Sequence, residues 1–195
     1  MTTDDPSDGD LWARAAAGSG SAFGTLFDRH ARAVYNHCFR LTASWSAAED
    51  LTQTTFLHAW RKRDAVRLEH DSARPWLLAV ATNMARNHRR GLRRRLRLAE
   101  RVTPEHAFDH ADDVAARVDD ERRMAEVLAA VRKLPRAQQE ALALCIWSGV
   151  SYSDAAAVLG IAEVSVRARV SKARNRLSRL LATPVAVPVN VLEQP

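Results

Sequence analysis

Positive charge on this chain is packed into two stretches separated by an acidic one. Residues 86–101 carry eight arginines against the single acid Glu100. Residues 163–181 carry Arg167, Arg169, Lys172, Arg174, Arg176 and Arg179 against Glu163 alone. Between them, residues 102–121 hold seven acids against one arginine, with Pro104 near the start and few large apolar side chains. Such a segment cannot bury enough apolar surface to fold alone, so it reads as a flexible acidic tether. The 195 residues therefore divide into two units, one on each side of it. Each unit is shorter than 110 residues, so each core is small. The net charge of +6 conceals this layout, because +7 and +5 on the basic stretches are offset by −6 on the tether and −4 on the first ten residues. Two basic stretches on separate units point to two contacts with a polyanion. Arginine-rich helix faces that are simply solvated are the competing reading.

Hydrophobic residues make up 47% of the chain, enough to build a core. No run of 18 uncharged apolar residues occurs, so no membrane span and no membrane contact is expected. The start, MTTDDPSDGD, is acidic where a signal peptide is basic and apolar. Cys38 and Cys145 fit neither a disulfide framework nor a zinc site. These features predict a soluble chain of the reducing cytoplasm.

The periodicity predicts helices throughout, with no sustained alternation of the kind strands need. A short helix is expected over Asp10–Ala17, broken by Gly18-Ser19-Gly20. A long one follows, with Phe23, Phe27, Val34, Cys38 and Leu41 on one face. Ser46-Ala47-Ala48-Glu49 has the form of a capping box and opens a helix to about Arg63. A polar loop leads to Pro75, which suits the first turn of a helix because its missing N–H costs nothing there. That helix buries Leu77, Val80, Ala81 and Met84 and runs into the first arginine cluster. The second unit begins near Arg122. Met124, Val127, Leu128 and Val131 make one helical face, and Pro135 starts the next helix with Ala141, Leu142, Leu144, Cys145 and Trp147. The expected fold is all-α. It has an acidic tail over 1–9, a helical domain over 10–101, the tether over 102–121, a second helical domain over 122–182 and a flexible tail over 183–195.

The segment from Ser148 to Leu181 is the most specific signal. It reads SGVSYSDAAAVLGIAEVSVRARVSKARNRLSRLL. Ser151 and Asp154 can cap a short helix that ends at Gly160, where a tight turn needs a positive φ. The next helix is expected to turn Val164, Val166, Val170, Ala173 and Leu177 inward and its basic residues outward. Short helix, glycine turn and basic helix make the helix-turn-helix pattern, whose second helix enters the major groove. An ordinary helical hairpin with a solvated basic face is the alternative.

These residues resemble the sigma-70 family of bacterial RNA polymerase sigma factors. GVSYSDAAAVLGIAEVSVRARVSKARNRL resembles region 4, which binds the −35 element. AAEDLTQTTFLHAWRKRDAV resembles region 2.2, which docks on the polymerase. RPWLLAVATNMARNHRRGLRRR resembles the segment that melts and reads the −10 element. The order and spacing are similar to those of the extracytoplasmic-function group, which keeps only regions 2 and 4, and the likeness covers about residues 10–181.

The resemblance implies a region 2 helical bundle and a region 4 helix-turn-helix. It implies a factor without enzymatic activity or cofactor that binds core polymerase at the β′ clamp coiled coil and the β flap. Asp50, Leu51, Gln53 and Phe56 match the clamp-binding positions, although Leu51 and Phe56 are also natural core residues. The loop from Lys62 to Arg74 matches one that captures a base flipped from the non-template strand. His70, Arg74 and Trp76 are its candidate contacts, although a core place is favoured for Trp76. Asn83 matches an asparagine beside the −10 strand, and Arg86, Arg89 and Arg90 would follow its phosphates. Arg167, Ala168, Ser171 and Lys172, with Arg169 and Arg174 nearby, match the −35 contacts. Ala168 can offer only an apolar contact, such as one to a thymine methyl. An anti-sigma factor is a further partner that the resemblance implies.

A regulator using only the C-terminal unit would leave the N-terminal motifs and the first arginine cluster unexplained. An enzyme is disfavoured by the residues themselves. The seven histidines form no HExxH pair, and no phosphate-binding glycine loop or nucleophile elbow occurs. His106 and His110 are four apart but lie in the tether, and His37 beside Cys38 reads as an accident of one helix face.

Overall fold

The computed structural model describes residues 5–68, 71–99 and 126–181. The tether, the C-terminal tail, His70 and the start of the second domain therefore lie outside the described residues. Contacts divide the chain into Met1–Ala85 and Arg86–Pro195. All regular elements among the described residues are helical.

In the first unit, α1 spans Asp8–Ala16 and is capped by Ser7, whose hydroxyl oxygen accepts the Asp10 amide at 3.1 Å. The helix starts two residues earlier than expected, and Asp8 is buried rather than part of an acidic tail. α2 spans Gly20–Thr42 and is capped by Ser19. It ends at Ala43, which adopts a left-handed conformation with φ 51°. That kink leaves only Ser44 extended before α3, Trp45–Lys62. Ser44 is accordingly the cap, accepting the Ala47 amide at 3.3 Å. The expected box at Ser46 and Glu49 does not form, because Ser46 is already inside the helix. α4 spans Arg74–Ala99, with Pro75 in its first turn, and crosses the division between the units.

The first core gathers Leu11, Trp12 and Ala15 of α1 and Leu26, Val34, Cys38 and Leu41 of α2. It is completed by Ala48, Leu51, Phe56 and Ala59 of α3 and Leu77, Leu78, Ala81 and Ala85 of α4. Phe27 was expected inside but is exposed. Leu26 and His30 take the buried positions of that turn, so the buried stripe runs one residue to the side. Buried Thr52, Thr55 and Thr82 satisfy their hydroxyls by donating to carbonyls four residues back, at 2.7–2.8 Å. Because the Thr82 hydroxyl is committed to Leu78 O, its oxygen accepts from His37 Nε2 at 2.9 Å, and this bond ties α2 to α4. His37 is therefore a satisfied core histidine. Burial pushes the Cys38 thiol up to about 12, with a smaller opposing effect from Thr52, and the Cys145 thiol up to about 11.

In the second unit, α5 is helical over residues 126–132. α6, Arg136–Leu142, follows Pro135 and runs into a wider π turn over Ala143–Trp147. Gln139 stitches this corner, its Nε2 donating to Leu134 O at 2.8 Å and Arg132 O at 3.3 Å. α7 spans Tyr152–Leu159 and α8 spans Glu163–Leu180. Ala130, Val131, Leu134, Leu142, Ala173 and Leu177 make the shared core, with Trp147 and Leu181 packed at its edge.

Candidate nucleic-acid interface

The helix-turn-helix forms as the residues predict. Ser151 Oγ accepts the Asp154 amide at 3.0 Å and donates to Asp154 Oδ2 at 2.7 Å, fixing the start of α7. Gly160 ends α7 at φ +66°, with its amide on Ala157 O and the Ile161 amide on Ala156 O. That pair of bonds is a Schellman closure, and glycine is the residue that takes its φ without a Cβ penalty. Only Ile161 and Ala162 separate it from α8. Val166, Val170, Ala173 and Leu177 hold α8 to the core. The opposite face displays Arg167, Ala168, Ser171, Lys172 and Arg174, with Arg169 half-buried at its border. Val164 was expected inside but is 72% exposed. It lies two residues from Val166, about 200° around the helix, so it joins the displayed face.

Arg167 is held in place on that face. Its Nε and Nη2 donate to Glu163 Oε1 at 3.0 and 2.7 Å, one turn back, and its guanidinium sits 4.6 Å over the Tyr152 ring. The planar group is thus oriented before any ligand arrives.

The expected −10 residues are placed unevenly. Arg74, Asn83 and Arg90 are exposed on α4. Trp76 is half-buried with its ring edge-on to Trp12, centroids 5.1 Å apart, which makes it partly a packing residue. Arg40 of α2, which nothing in its apolar surroundings singled out, stands near Arg74. Burial first, and the Arg74 charge second, lower its pKa. In the second unit, Arg86 grips the buried carboxylate of Glu140 with Nε at 3.0 Å and Nη2 at 2.8 Å, and Arg89 reaches the same group at 3.4 Å. Hydrogen bonding to Glu140 raises the Arg86 pKa against the opposing effect of burial. Burial, followed by the neighbouring charge of Arg136, lowers that of Arg89. These two arginines are engaged with an acid rather than displayed together with Arg90.

The expected polymerase-docking set also splits. Asp50 and Gln53 are exposed on α3. Leu51 and Phe56 are buried, and the Phe56 ring lies 4.8 Å from Phe27 and 6.3 Å from Phe23. Both are buried, with Phe56 turned toward Phe23 and Phe27 of α2, so neither forms part of an outer face. The exposed apolar groups nearby are Leu57 and Phe27. Both carry the residue type of a core position, which is why the pattern hid them.

Among the described residues, no three His, Cys, Asp or Glu side chains stand close enough to hold a metal ion. None of the described helices is long and apolar enough to cross a membrane. A capped short helix, a glycine turn and an outward basic helix define a helical DNA-binding protein. The model of Sigma-70 region 2 matches residues 26–95, and that of Sigma-70 region 4 matches residues 124–177. Among curated proteins, the chain is 32% identical to the RNA polymerase sigma factor NccH of Alcaligenes xylosoxydans xylosoxydans, over 92% of this chain and 97% of NccH. It is 37% identical to the ECF RNA polymerase sigma factor SigC of Mycobacterium tuberculosis, over 84% of this chain and 85% of SigC. The solved structure of CnrH in complex with the cytosolic domain of CnrY superposes with a TM-score of 0.69 at 28% identity, covering 90% of this chain and 97% of CnrH. The sigma factor RpoE in complex with the anti-sigma factor NepR from Bartonella quintana gives 0.67 at 30% identity, covering 82% and 96%.

The chain belongs to the sigma-70 family of RNA polymerase sigma factors, in its extracytoplasmic-function group. It is a non-enzymatic factor that works with RNA polymerase in promoter-specific transcription initiation.

Proposed function

We propose that this sigma factor reads the −35 element through α8 and the −10 element through the link before α4 and the start of that helix. The displayed face of α8 carries this reading. Arg167, Ala168, Ser171, Lys172 and Arg174 lie on the face turned away from the core, behind a three-residue turn that sets the helix angle. Arg167 and Lys172 contact bases or phosphates, and Ala168 and Val164 offer methyl groups to thymine.

Arg74, with Arg40 near it, and Asn83 and Arg90 follow the melted non-template strand. Arg86 and Arg89 join them by exchanging Glu140 for phosphate. Asp50 and Gln53 dock on the β′ clamp coiled coil, with exposed Leu57 adding apolar contact, and the second domain meets the β flap. The tether over 102–121 keeps its acidic charge off the DNA. The factor acts in the cytoplasm, where the polymerase is. Two structural relatives are captured with CnrY and with the anti-sigma factor NepR, which supports an inhibitor of that kind for this chain too.

The Arg167→Ala substitution tests the −35 reading. It is expected to weaken binding to a −35 duplex by about 1–3 kcal/mol and to relax base preference at one position. Unchanged affinity and preference would contradict the assignment, and an equal loss on every sequence would assign Arg167 to phosphate instead. Footprinting at fixed salt over a set of single-base promoter variants reads both quantities.

A further inference from the structure

Residues 63–73 join α3 to α4, and α1 holds this link at Val66 and again at Ser72 and Ala73. On the α3 side, the Trp12 indole Nε1–H donates to the Val66 carbonyl at 3.0 Å. At the far end, Asp8 Oδ2 accepts the Ala73 amide at 2.9 Å and the Ser72 hydroxyl at 3.3 Å. Neither anchor is loose, since Asp8 and Trp12 are each 4% exposed. The carboxylate is itself clamped from α2, by His30 Nε2 and Arg29 Nη1, both at 2.6 Å. The Trp12 ring is fixed by its edge-on contact with Trp76 of α4. Between the two anchors α1 passes close to the link, where a Cβ added to Gly9 would stand 3.4 Å from Asp71 Oδ1.

A buried carboxylate held by a guanidinium and an imidazole adds little net stability compared with a well-packed apolar group. What such a network supplies is a single geometry. Here it holds Ser72 and Ala73 immediately before Arg74, while Trp12 holds Val66. Fixing these points in advance removes ordering entropy that strand binding would otherwise have to overcome.

We propose that α1 is a positioning clip for strand recognition, with Asp8 and Trp12 setting the separation of Val66 from Ala73 and the presentation of Arg74. The inference rests on the −10 reading above and adds the residues that make it selective. Asp8 and Trp12 touch no DNA. They act through Val66, Ser72 and Ala73.

The test uses the full chain with core polymerase on a promoter it serves and on single-base variants of both elements. Trp12→Phe keeps the ring against Trp76 and removes only the indole donor. Asp8→Asn keeps an acceptor for the Ala73 amide but takes the charge from Arg29 and His30. The readout is the ratio of open-complex formation between the best and worst base at the most selective −10 position. A ratio is insensitive to any fraction of unfolded protein. Trp12→Phe is expected to lower it about fivefold, the size of one net hydrogen bond, and Asp8→Asn at least as much. The ratio at −35 should stay at the wild-type value. An unchanged −10 ratio in Trp12→Phe would overturn the clip, and so would an equal fall at both elements. If Asp8→Asn fails to fold, Trp12→Phe decides alone. A wild-type chain with no −10 preference would overturn the −10 reading itself, and that is seen before any substitution is compared.

Discussion

Asp8 is a carboxylate whose charged form burial alone would disfavour. Burial raises its pKa, but the Ala73 amide, the Arg29 guanidinium and His30 together outweigh it and hold the group below its ordinary 3.8. A carboxylate depressed on folding contributes stability that is complete above its unfolded pKa and is lost as pH falls through the folded value. The stability gap between wild type and Asp8→Asn should therefore be full at neutral pH, at about 3 kcal/mol for breaking a buried pair. It should narrow below pH 3.8. Urea midpoints measured across that range check this, and a gap constant with pH would contradict it. The sequence assigns Asp8 to an acidic tail, because one of four aspartates in the first ten residues carries no sign of its distant partners. The same blindness affected Arg40 and Glu140, whose roles come from neighbours far along the chain. The residues of α8 were legible for the opposite reason. Their facing depends only on helical period and a local turn, and Val164 was misplaced only by ignoring that period over two residues.

At the scale of elements, the two junctions flanking α2 and α7 are built differently. Gly160 closes α7 with a residue suited to positive φ. Ala43 closes α2 in the same region with a Cβ present. A left-handed non-glycine residue costs about 1–2 kcal/mol, and glycine returns about 0.5–1 kcal/mol of that as backbone entropy. Ala43→Gly is expected to raise stability by about 0.5–1 kcal/mol without altering promoter preference, as read by urea denaturation and transcription. Lower stability would mean that Ala43 makes contacts worth more than its strain. The hidden kink at Ala43 also explains the misplaced cap of α3. Serine occurs at both 44 and 46. Only the conformation of the preceding residue decides which one caps, and an alanine gives no warning of a left-handed turn. The π turn over Ala143–Trp147 was equally invisible, since a run of apolar residues satisfies either helix type.

For the whole molecule, charge and periodicity carried the reading furthest. The two basic stretches, the helix-turn-helix and the all-helical class were all present in local pattern, while the family rests on the resemblance of three motifs in order and on the region 2 and region 4 matches. Sequence alone did not separate exposed residues from core residues on α3. Asp50 and Gln53 are displayed, whereas Leu51 and Phe56 are packed away, and the difference depends on where α2 lies. Asp50→Lys should accordingly weaken polymerase binding while leaving −35 duplex binding intact. A joint loss would make Asp50 a folding residue. The account as a whole stands on promoter-directed initiation, and reconstituted run-off transcription tests that directly. With core polymerase and this chain, a transcript is expected from a template carrying both the −35 and −10 elements. It should be lost when either element is scrambled and when Asp50→Lys replaces the wild type. No transcript from the intact template, or one indifferent to both elements, would contradict the account.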